Sequence, residues 1–239
     1  GKTLERVKNS LFDAPIISTN SKYLKEIKKH LLKHKIKNYR IILEPVKKNT
    51  APAILSCALI NDIPQNQPLL FLSSDHLMEN INRLNHAIKK NKKYLTKNNI
   101  FIFGIKPNKP SDQFGYFKTT KTKKNTNKVS KFIEKPKINQ AKLLIKKGCY
   151  WNSGIFLIRK DSVISNYQRF EKKIYQNSFN AVYMAKLQKN IYYLNKKSFI
   201  KNKSKSFDYA ILEKSNNINI AFILLNSFST GLFNSNKFL

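Results

Sequence analysis

The sequence predicts an α/β fold, with a mainly parallel sheet covered by helices, in a single domain that spans residues 1–239. Apolar runs of strand length alternate along the chain with segments whose apolar residues recur at helical spacing. Hydrophobic residues make up 41% of the chain, with 16 Phe and 11 Tyr, which is enough to build a substantial core. A strand–helix–strand order of this kind brings successive strands side by side and parallel.

Strands and helices alternate regularly in the first half of the chain. We predict strands at residues 14–19, 40–43, 69–72 and 100–105. We predict helices at residues 23–36, 50–59 and 77–88. Thr50 is predicted to be the N-cap of the second helix, because a threonine hydroxyl can accept a hydrogen bond from the first turn. Pro52 suits that first turn, where its missing N–H leaves nothing unbonded.

The pattern is less regular after Lys106. Residues 107–118 are predicted as a loop followed by a strand, and the polar residues 118–128 as a hairpin or mobile loop. Further strands are predicted at residues 129–133, 154–158 and 218–225. Helical patterns cover residues 139–147, 161–189 and 206–213, the first closed by Gly148 and the last entered through a cap. The uncharged string YWNSG, residues 150–154, is predicted to form a turn.

The net charge of +33 raises the question of a nucleic-acid partner. Only five of the 46 basic residues are arginine, the residue that base reading and bidentate phosphate contacts favour. The lysines are also spread over the whole chain. We therefore expect no nucleic-acid role, although the charge would steer small anionic substrates towards a cleft.

Two further features indicate the cellular setting. Cys57 and Cys149 make no metal-binding spacing with the four histidines, which indicates a reduced, cytoplasmic environment. No apolar run approaches the ~20 residues that span a bilayer, and no signal peptide opens the chain, so no membrane partner is expected. The sequence does not indicate an oligomeric state.

Two polar strings follow predicted strands. Asp75, in SSDH, is well placed to hold Mg²⁺ beyond the end of a strand, or equally to cap the helix that follows. In LEPVKKNTAPA, Asn49 and Thr50 enter a helix whose free N–H groups favour an anion or a polar ring edge. The alternative there is an ordinary threonine cap.

Three further strings combine a strand with polar or glycine residues. Gly115, in QFGYF, allows a ligand to approach the backbone closely, or equally forms a bulge. Glu134 could bind sugar hydroxyls and Lys135 a phosphate, although a solvated ion pair also explains FIEKP. In YWNSGIF, Trp151 and Phe156 could simply be core residues.

Taken in order, these strings resemble the sugar-1-phosphate nucleotidyltransferases, and most closely the bacterial mannose-1-phosphate guanylyltransferases. The matching strings are Glu44-Pro45 with Asn49–Ala53, Ser74–His76, Phe114–Tyr116, Glu134–Pro136, Trp151–Gly154, and Ser206–Tyr209 with Glu213. Each string is short, but six in one order cover nearly the whole chain. Chance does not account for that order.

The resemblance implies a three-layer, mostly parallel, Rossmann-like nucleotidyltransferase sheet. It implies transfer of GMP from GTP to mannose 1-phosphate by direct attack of the sugar phosphate, with release of pyrophosphate and with Mg²⁺ as cofactor. The implied roles are catalysis and metal binding for Asp75, catalysis for Lys135, contact with the sugar phosphate for Glu134 and Lys135, sugar contacts for Gly115, Tyr116, Asn152 and Gly154, and nucleotide contacts for Asn49 and Thr50.

The sequence departs from the family pattern at both ends. The glycine-rich phosphate loop G-G-x-G-T-R is absent, and the six glycines are too scattered to form one, so we expect an N-terminally truncated domain without its first strand and that loop. Thr230 stands where the pattern has a metal-binding aspartate. The chain is then either a fragment or a decayed gene product, and we expect no GDP-mannose synthesis by this polypeptide alone. The alternative function is a catalytically decayed domain that binds sugar phosphate or nucleotide.

Overall fold

The computed structural model describes residues 2–73, 81–121, 127–215 and 218–225. The strands are β1 (Ile16–Asn20), β2 (Arg40–Glu44), β3 (Pro68–Phe71), β4 (Ile100–Ile105), β5 (Tyr116–Lys121), β6 (Asn127–Ile133), β7 (Tyr150–Arg159), β8 (Lys186–Gln188), β9 (Ile191–Tyr193) and β10 (Ile218–Leu225). The helices are α1 (Lys2–Arg6), α2 (Leu24–Lys33), α3 (Thr50–Ala58), α4 (Ile81–Lys92), α5 (Ile138–Lys146), α6 (Lys160–Phe170), α7 (Lys172–Tyr183), α8 (Lys196–Phe199) and α9 (Phe207–Ala210). Asp75 and Thr230 lie outside the described residues.

The chain divides into two compact units. The first contains Gly1–Leu69, Thr96–Asn98 and Ile158–Ser215. The second contains Leu70–Leu95, Asn99–Leu157 and Asn216–Leu239. Each unit has its own sheet and is described by itself.

The first unit is built on a four-stranded sheet in the order β1-β2-β9-β8. The β1–β2 and β2–β9 pairs are parallel, and β8–β9 is an antiparallel hairpin. Leu31 of α2 packs against Ile41, Leu43 and Ile191 of the sheet, all at most 5% exposed. Each buried aliphatic side chain of this kind stabilises the fold by about 1.5–3 kcal/mol.

A buried lysine fixes the segment that follows α3 in the first unit. Lys160 is 3% exposed, and its Nζ donates hydrogen bonds of 2.7 Å to the carbonyl oxygens of Ile60 and Ile63. Its backbone N–H donates to the carbonyl of Gln67. Burial lowers the pKa of Lys160, and the charge of Asp62 partly opposes that shift. The ammonium therefore replaces water as the partner of two carbonyl groups.

The second unit is built on a mixed sheet in the order β3-β7-β4-β10-β6-β5. The β4–β10 pair is parallel, whereas β10–β6 and β6–β5 are antiparallel. The start of β7 also pairs antiparallel with β5, so the pairings β7–β4–β10–β6–β5–β7 close on themselves. Buried aromatic residues, among them Phe101, Phe103 and Phe117, fill the core of this unit.

The α/β class predicted from the sequence is confirmed, but the sheets are mixed rather than mainly parallel. The strands 100–105 and 218–225 have the predicted bounds. The prediction of a turn at YWNSG is wrong, since these residues lie within β7. The helical pattern predicted over 161–189 is confirmed as far as Tyr183, by α6 and α7, and is wrong beyond that residue. The chain breaks between α6 and α7 at Glu171, whose φ and ψ are −141° and 55°, and it then enters the β8–β9 hairpin.

None of the helices within the described ranges is long and apolar enough to cross a membrane.

Candidate functional site

Three of the predicted sugar-site residues lie in one row across neighbouring strands of the second unit. The register pairs Tyr116 with Trp151 of β7 and with Ile133 of β6. The neighbours of these paired residues in the same register are Gly115, Glu134 and Asn152. They therefore face the same side of the sheet. The backbone N–H of Asn152 donates to the carbonyl of Gly115 at 2.7 Å. We call these three residues the Gly115 row.

The missing side chain at Gly115 makes room for the Glu134 carboxyl. A Cβ at position 115 would lie 2.5 Å from Glu134 Oε2, 3.0 Å from the Phe132 ring and 3.4 Å from Asn152 Cβ. The Glu134 oxygen therefore lies directly over the glycine backbone, beside the Asn152 side chain. A carboxylate and an amide side by side can exchange several hydrogen bonds with a small polyhydroxy ligand.

Two polar side chains of β7 accept hydrogen bonds from backbone N–H groups of the same strand. Asn152 is 7% exposed, and its Oδ1 accepts a hydrogen bond of 3.2 Å from Gly154 N–H. Ser153 Oγ accepts one of the same length from Ile155 N–H. Gly154 has a φ of 69°, in the left-handed region that glycine adopts without strain. These local bonds orient the Asn152 amide within the strand.

Lys135 follows Glu134 in a strained backbone conformation. Its φ is 44°, and the next residue, Pro136, is buried. A left-handed conformation in a lysine costs roughly 1–3 kcal/mol, and the bulk of a following proline restricts the residue further. Such strain is concentrated at functional sites, where packing holds it in place. The Lys135 side chain itself is exposed.

Tyr116 and Trp151 lie on the opposite face of the strands from the Gly115 row. Tyr116 is fully buried, and its hydroxyl donates to the carbonyl of Ser111 and accepts from the Ser111 N–H, both at 3.0 Å. Trp151 is 6% exposed, with its ring 4.6 Å from that of Phe114. The Tyr116 side chain therefore holds the loop before Gly115, and Trp151 is a core residue, as one alternative predicted.

In the first unit, the prediction that Thr50 caps α3 is wrong. The N-cap is Asn49, whose Oδ1 accepts a hydrogen bond of 2.8 Å from Thr50 N–H. The Thr50 hydroxyl instead accepts from Phe207 N–H at 2.8 Å. The Ala51 N–H donates to the carbonyl of Lys205, and Pro52 has no N–H. The free first-turn N–H groups expected to meet a ligand are therefore already bonded.

Asn49 combines an unusual backbone with an exposed side chain. Its φ and ψ are 67° and −174°, a region that is essentially restricted to glycine. Oδ1 already accepts a bond from Thr50 N–H and keeps one lone pair, whereas Nδ2 has two N–H groups to offer a ligand. A ligand that presents an acceptor therefore suits this side chain best.

The start of α3 is supported by residues that the sequence analysis did not identify. The Tyr167 hydroxyl donates to the carbonyl of Ala51 at 2.7 Å. Glu171 accepts hydrogen bonds of 2.6 Å from Lys205 and from Lys214. Burial alone would raise the pKa of Glu171, but the bonds and charges of the two lysines lower it overall. These contacts join segments far apart in the sequence, so no local pattern could reveal them.

Glu44, in the LEP string, is a buried structural carboxyl. It is 9% exposed, and Ser18 Oγ donates to its Oε1 at 2.6 Å. Burial raises the pKa of Glu44, and the Ser18 hydrogen bond partly offsets the rise. Burial, with the nearby Glu44 charge, raises the pKa of Cys57 to about 12, so this thiol is not a nucleophile near neutral pH.

The predicted residues thus fall into two groups. The second unit brings Gly115, Glu134 and Asn152 together, with Lys135 and Gly154 next to them in the chain. The first unit contains Asn49 and Thr50. Within the described residues, no three His, Cys, Asp or Glu side chains form a cluster that could hold a metal ion.

Comparison with known proteins agrees with the predicted resemblance. A family model described as Nucleotidyl transferase matches residues 1–201. A mannose-1-phosphate guanylyltransferase of Salmonella montevideo is 30% identical over 222 residues, which cover 90% of this chain and 47% of that protein. The alginate biosynthesis protein AlgA of Pseudomonas fluorescens is 27% identical over 218 residues, 89% of this chain and 45% of that protein. The chain spans about half the length of the curated relatives it matches.

Solved structures confirm the fold. The crystal structure of a mannose-6-phosphate isomerase from Helicobacter pylori has a TM-score of 0.82 at 28% identity, covering 92% of this chain and 87% of that one. A structure described as a mannose-1-phosphate geranyltransferase from Thermus thermophilus has a TM-score of 0.76 at 20% identity, covering 95% of this chain and 63% of that one. At that identity the second likeness concerns the fold alone.

Proposed function

The chain belongs to the nucleotidyl transferase family, and from that premise we propose that it acts as a mannose-1-phosphate guanylyltransferase. An oxygen of the mannose 1-phosphate would attack the α-phosphorus of GTP. The bond from that phosphorus to the β-phosphate oxygen would break, so that GDP-mannose forms and pyrophosphate leaves. The similarity to relatives named as guanylyltransferases supports this choice of sugar and nucleotide.

The observation that carries the proposal is the Gly115 row. Sugar hydroxyls donate and accept hydrogen bonds, so the Glu134 carboxylate and the Asn152 amide provide matching partners. The Glu134 carboxyl fills the space over Gly115, so a sugar would meet that carboxylate and the Asn152 amide rather than the glycine backbone. Lys135, directly after Glu134, would contact the sugar phosphate with its exposed ammonium.

Asn49 gives the proposed nucleotide contact a definite chemistry. Its amide is fixed by the bond to Thr50 N–H, and its Nδ2 presents two N–H donors. The O6 atom of guanine is an acceptor, whereas adenine carries a donating amino group at the same position. An amide fixed in this way therefore favours guanine over adenine, with Thr50 beside it.

Mg²⁺ is proposed as the cofactor, with Asp75 as the residue that would hold it. When bound, the ion would neutralise negative charge on the phosphate groups. GTP and free sugar phosphates are cytoplasmic metabolites, so we propose a cytoplasmic location, where Cys57 and Cys149 would be reduced.

A second candidate is a domain that binds sugar phosphate or nucleotide without turning them over. The Gly115 row favours it as well, because its carboxylate and amide would bind a sugar phosphate whether or not the chain turns it over. An assay of the purified chain with GTP, mannose 1-phosphate and Mg²⁺, measuring product release and binding, decides between the two. Release of GDP-mannose supports the transferase and overturns the expectation that this polypeptide alone makes none. Binding of mannose 1-phosphate without product supports the binding domain, and neither binding nor product contradicts both.

A further inference from the structure

One helix of the first unit carries an exposed aromatic row. On α7, the rings of Tyr175, Phe179 and Tyr183 recur every four residues and stack at centroid distances of 6.0 and 5.9 Å. Two further exposed apolar residues, Met184 and Leu187, follow the helix in the sequence. The side chains from Phe179 to Leu187 in this set are between 43% and 78% exposed. We call this surface the α7 aromatic face.

The exposure of this face is not a packing failure of the helix. The other side of α7 is anchored, with Ile174 2% exposed and both Ser178 and Ala181 fully buried. Single exposed apolar residues, such as Leu32 on α2, are ordinary on protein surfaces. A contiguous set of aromatic and apolar side chains is different, because such patches usually mark a contact surface.

The charges around the α7 aromatic face indicate what kind of surface it contacts. Residues 172–189 contain four lysines, all exposed, and no aspartate or glutamate. The lysines are Lys172, Lys173, Lys186 and Lys189. A second copy of the chain would bring these lysines against one another, in a chain whose net charge is already +33. Charge complementarity therefore requires an anionic partner.

We propose that the α7 aromatic face docks on an anionic lipid bilayer. Lys172 and Lys173 begin α7, and Lys186 and Lys189 lie in the β8–β9 hairpin that follows it, so four basic residues flank the aromatic row in the sequence. Clusters of four or more basic residues attract anionic headgroups. A Phe ring inserts at the boundary between headgroups and acyl chains, and a Tyr ring does so while its hydroxyl stays in water. Side chains that project from a helix can insert among lipid headgroups without a preformed cavity. A protein partner would need a groove shaped to them. This surface is independent of the Gly115 row and of any catalytic activity.

The test is sedimentation of the chain with vesicles of phosphatidylcholine, with or without phosphatidylglycerol. We expect binding only to the vesicles that contain phosphatidylglycerol, and release at high salt. Replacing Phe179 and Tyr183 by Ser should weaken binding at least about ten-fold. Replacing the four lysines of the face by Gln should weaken it by at least about ten-fold as well.

The matched control removes the same charge elsewhere. Helix α2 carries four exposed lysines without an aromatic row, at positions 25, 28, 29 and 33. Their replacement by Gln should leave vesicle binding within about two-fold of the original chain. An equal loss in both lysine variants would show that overall charge alone causes binding, and would overturn the proposal. So would absence of binding, or a dimer in light scattering that the Phe179→Ser and Tyr183→Ser changes abolish.

Discussion

Replacing Gly115 by Ala should disrupt the sugar site through a single methyl group. The new Cβ would lie 2.5 Å from Glu134 Oε2, closer than such atoms can approach, so the carboxyl must move away. Gly115 is not among the described glycines with positive φ, which are Gly148 and Gly154, so alanine itself meets no backbone strain. The change therefore acts on the carboxyl and on the nearby Phe132 ring.

The size of the effect follows from these contacts. Overpacking of this kind lowers the free energy of unfolding by about 1–3 kcal/mol. A hydrogen bond to a charged group contributes about 1.5–3 kcal/mol, so losing one from Glu134 to a sugar hydroxyl weakens affinity roughly ten- to hundred-fold. Isothermal titration calorimetry with mannose 1-phosphate measures the affinity, and thermal unfolding measures the stability.

Gly148→Ala is the matched control. Gly148 has a φ of 72°, but a Cβ there would meet nothing within 4 Å. Alanine would therefore cost about 1 kcal/mol of stability through backbone strain, with no effect on the Gly115 row. If both variants bind mannose 1-phosphate as the original chain does, or lose affinity equally, the account of Gly115 is refuted.

Three further changes test other parts of the structure. Lys160→Met should lower the free energy of unfolding by about 2–3 kcal/mol, since two buried carbonyls lose a charged donor; a calorimetric Tm unchanged from the original would contradict this. Because the pKa of Glu171 is lowered, its contribution to stability is present above the ordinary value of 4.5 and is lost as pH falls through the lowered pKa. The Tm difference between the original chain and Glu171→Gln should therefore shrink on acidification, and a constant difference would argue against the two lysine contacts. Asn49→Asp keeps the cap on α3 but removes the donor, so it should weaken guanosine binding at least about ten-fold at unchanged Tm. Because guanosine is uncharged, a loss of affinity could not be attributed to charge repulsion by the new aspartate. An unaltered affinity would exclude a donor role for Asn49.

Continuous apolar runs made part of the fold predictable. The strands β4 and β10 begin and end where predicted, because nearly every residue in them is apolar. The β8–β9 hairpin was missed, since its turn is formed by Lys189 and Asn190. Lys189 has a φ of 55°, a conformation that glycine or asparagine usually signals in such turns.

Polar side chains explain the errors at YWNSG and at Thr50. Asn, Ser and Gly favour turns, but Asn152 and Ser153 bond the backbone two residues ahead while β7 continues. Thr50 and Asn49 are both good caps in sequence terms. Asn49 is the cap because the Thr50 hydroxyl accepts a hydrogen bond from the N–H of Phe207, a residue distant in the sequence.

The residues of the candidate sugar site could be predicted, but their geometry could not. Glycine at position 115 indicated a close approach, and the structure shows that the Glu134 carboxyl makes that approach within the protein. This contact depends on the register of β5 against β6 and β7. Register is set by pairing between distant segments, and no local string reveals it.

The most direct test of the Gly115 row is a double-mutant cycle in mannose 1-phosphate binding. Titration calorimetry would compare the original chain with Glu134→Gln, Asn152→Ala and the double variant. Each single change should weaken binding at least about ten-fold, and the double variant should lose less than the two losses combined, because both side chains contact one ligand. If the original chain binds the sugar phosphate and both single variants bind it equally well, the sugar lies elsewhere and the central claim is contradicted.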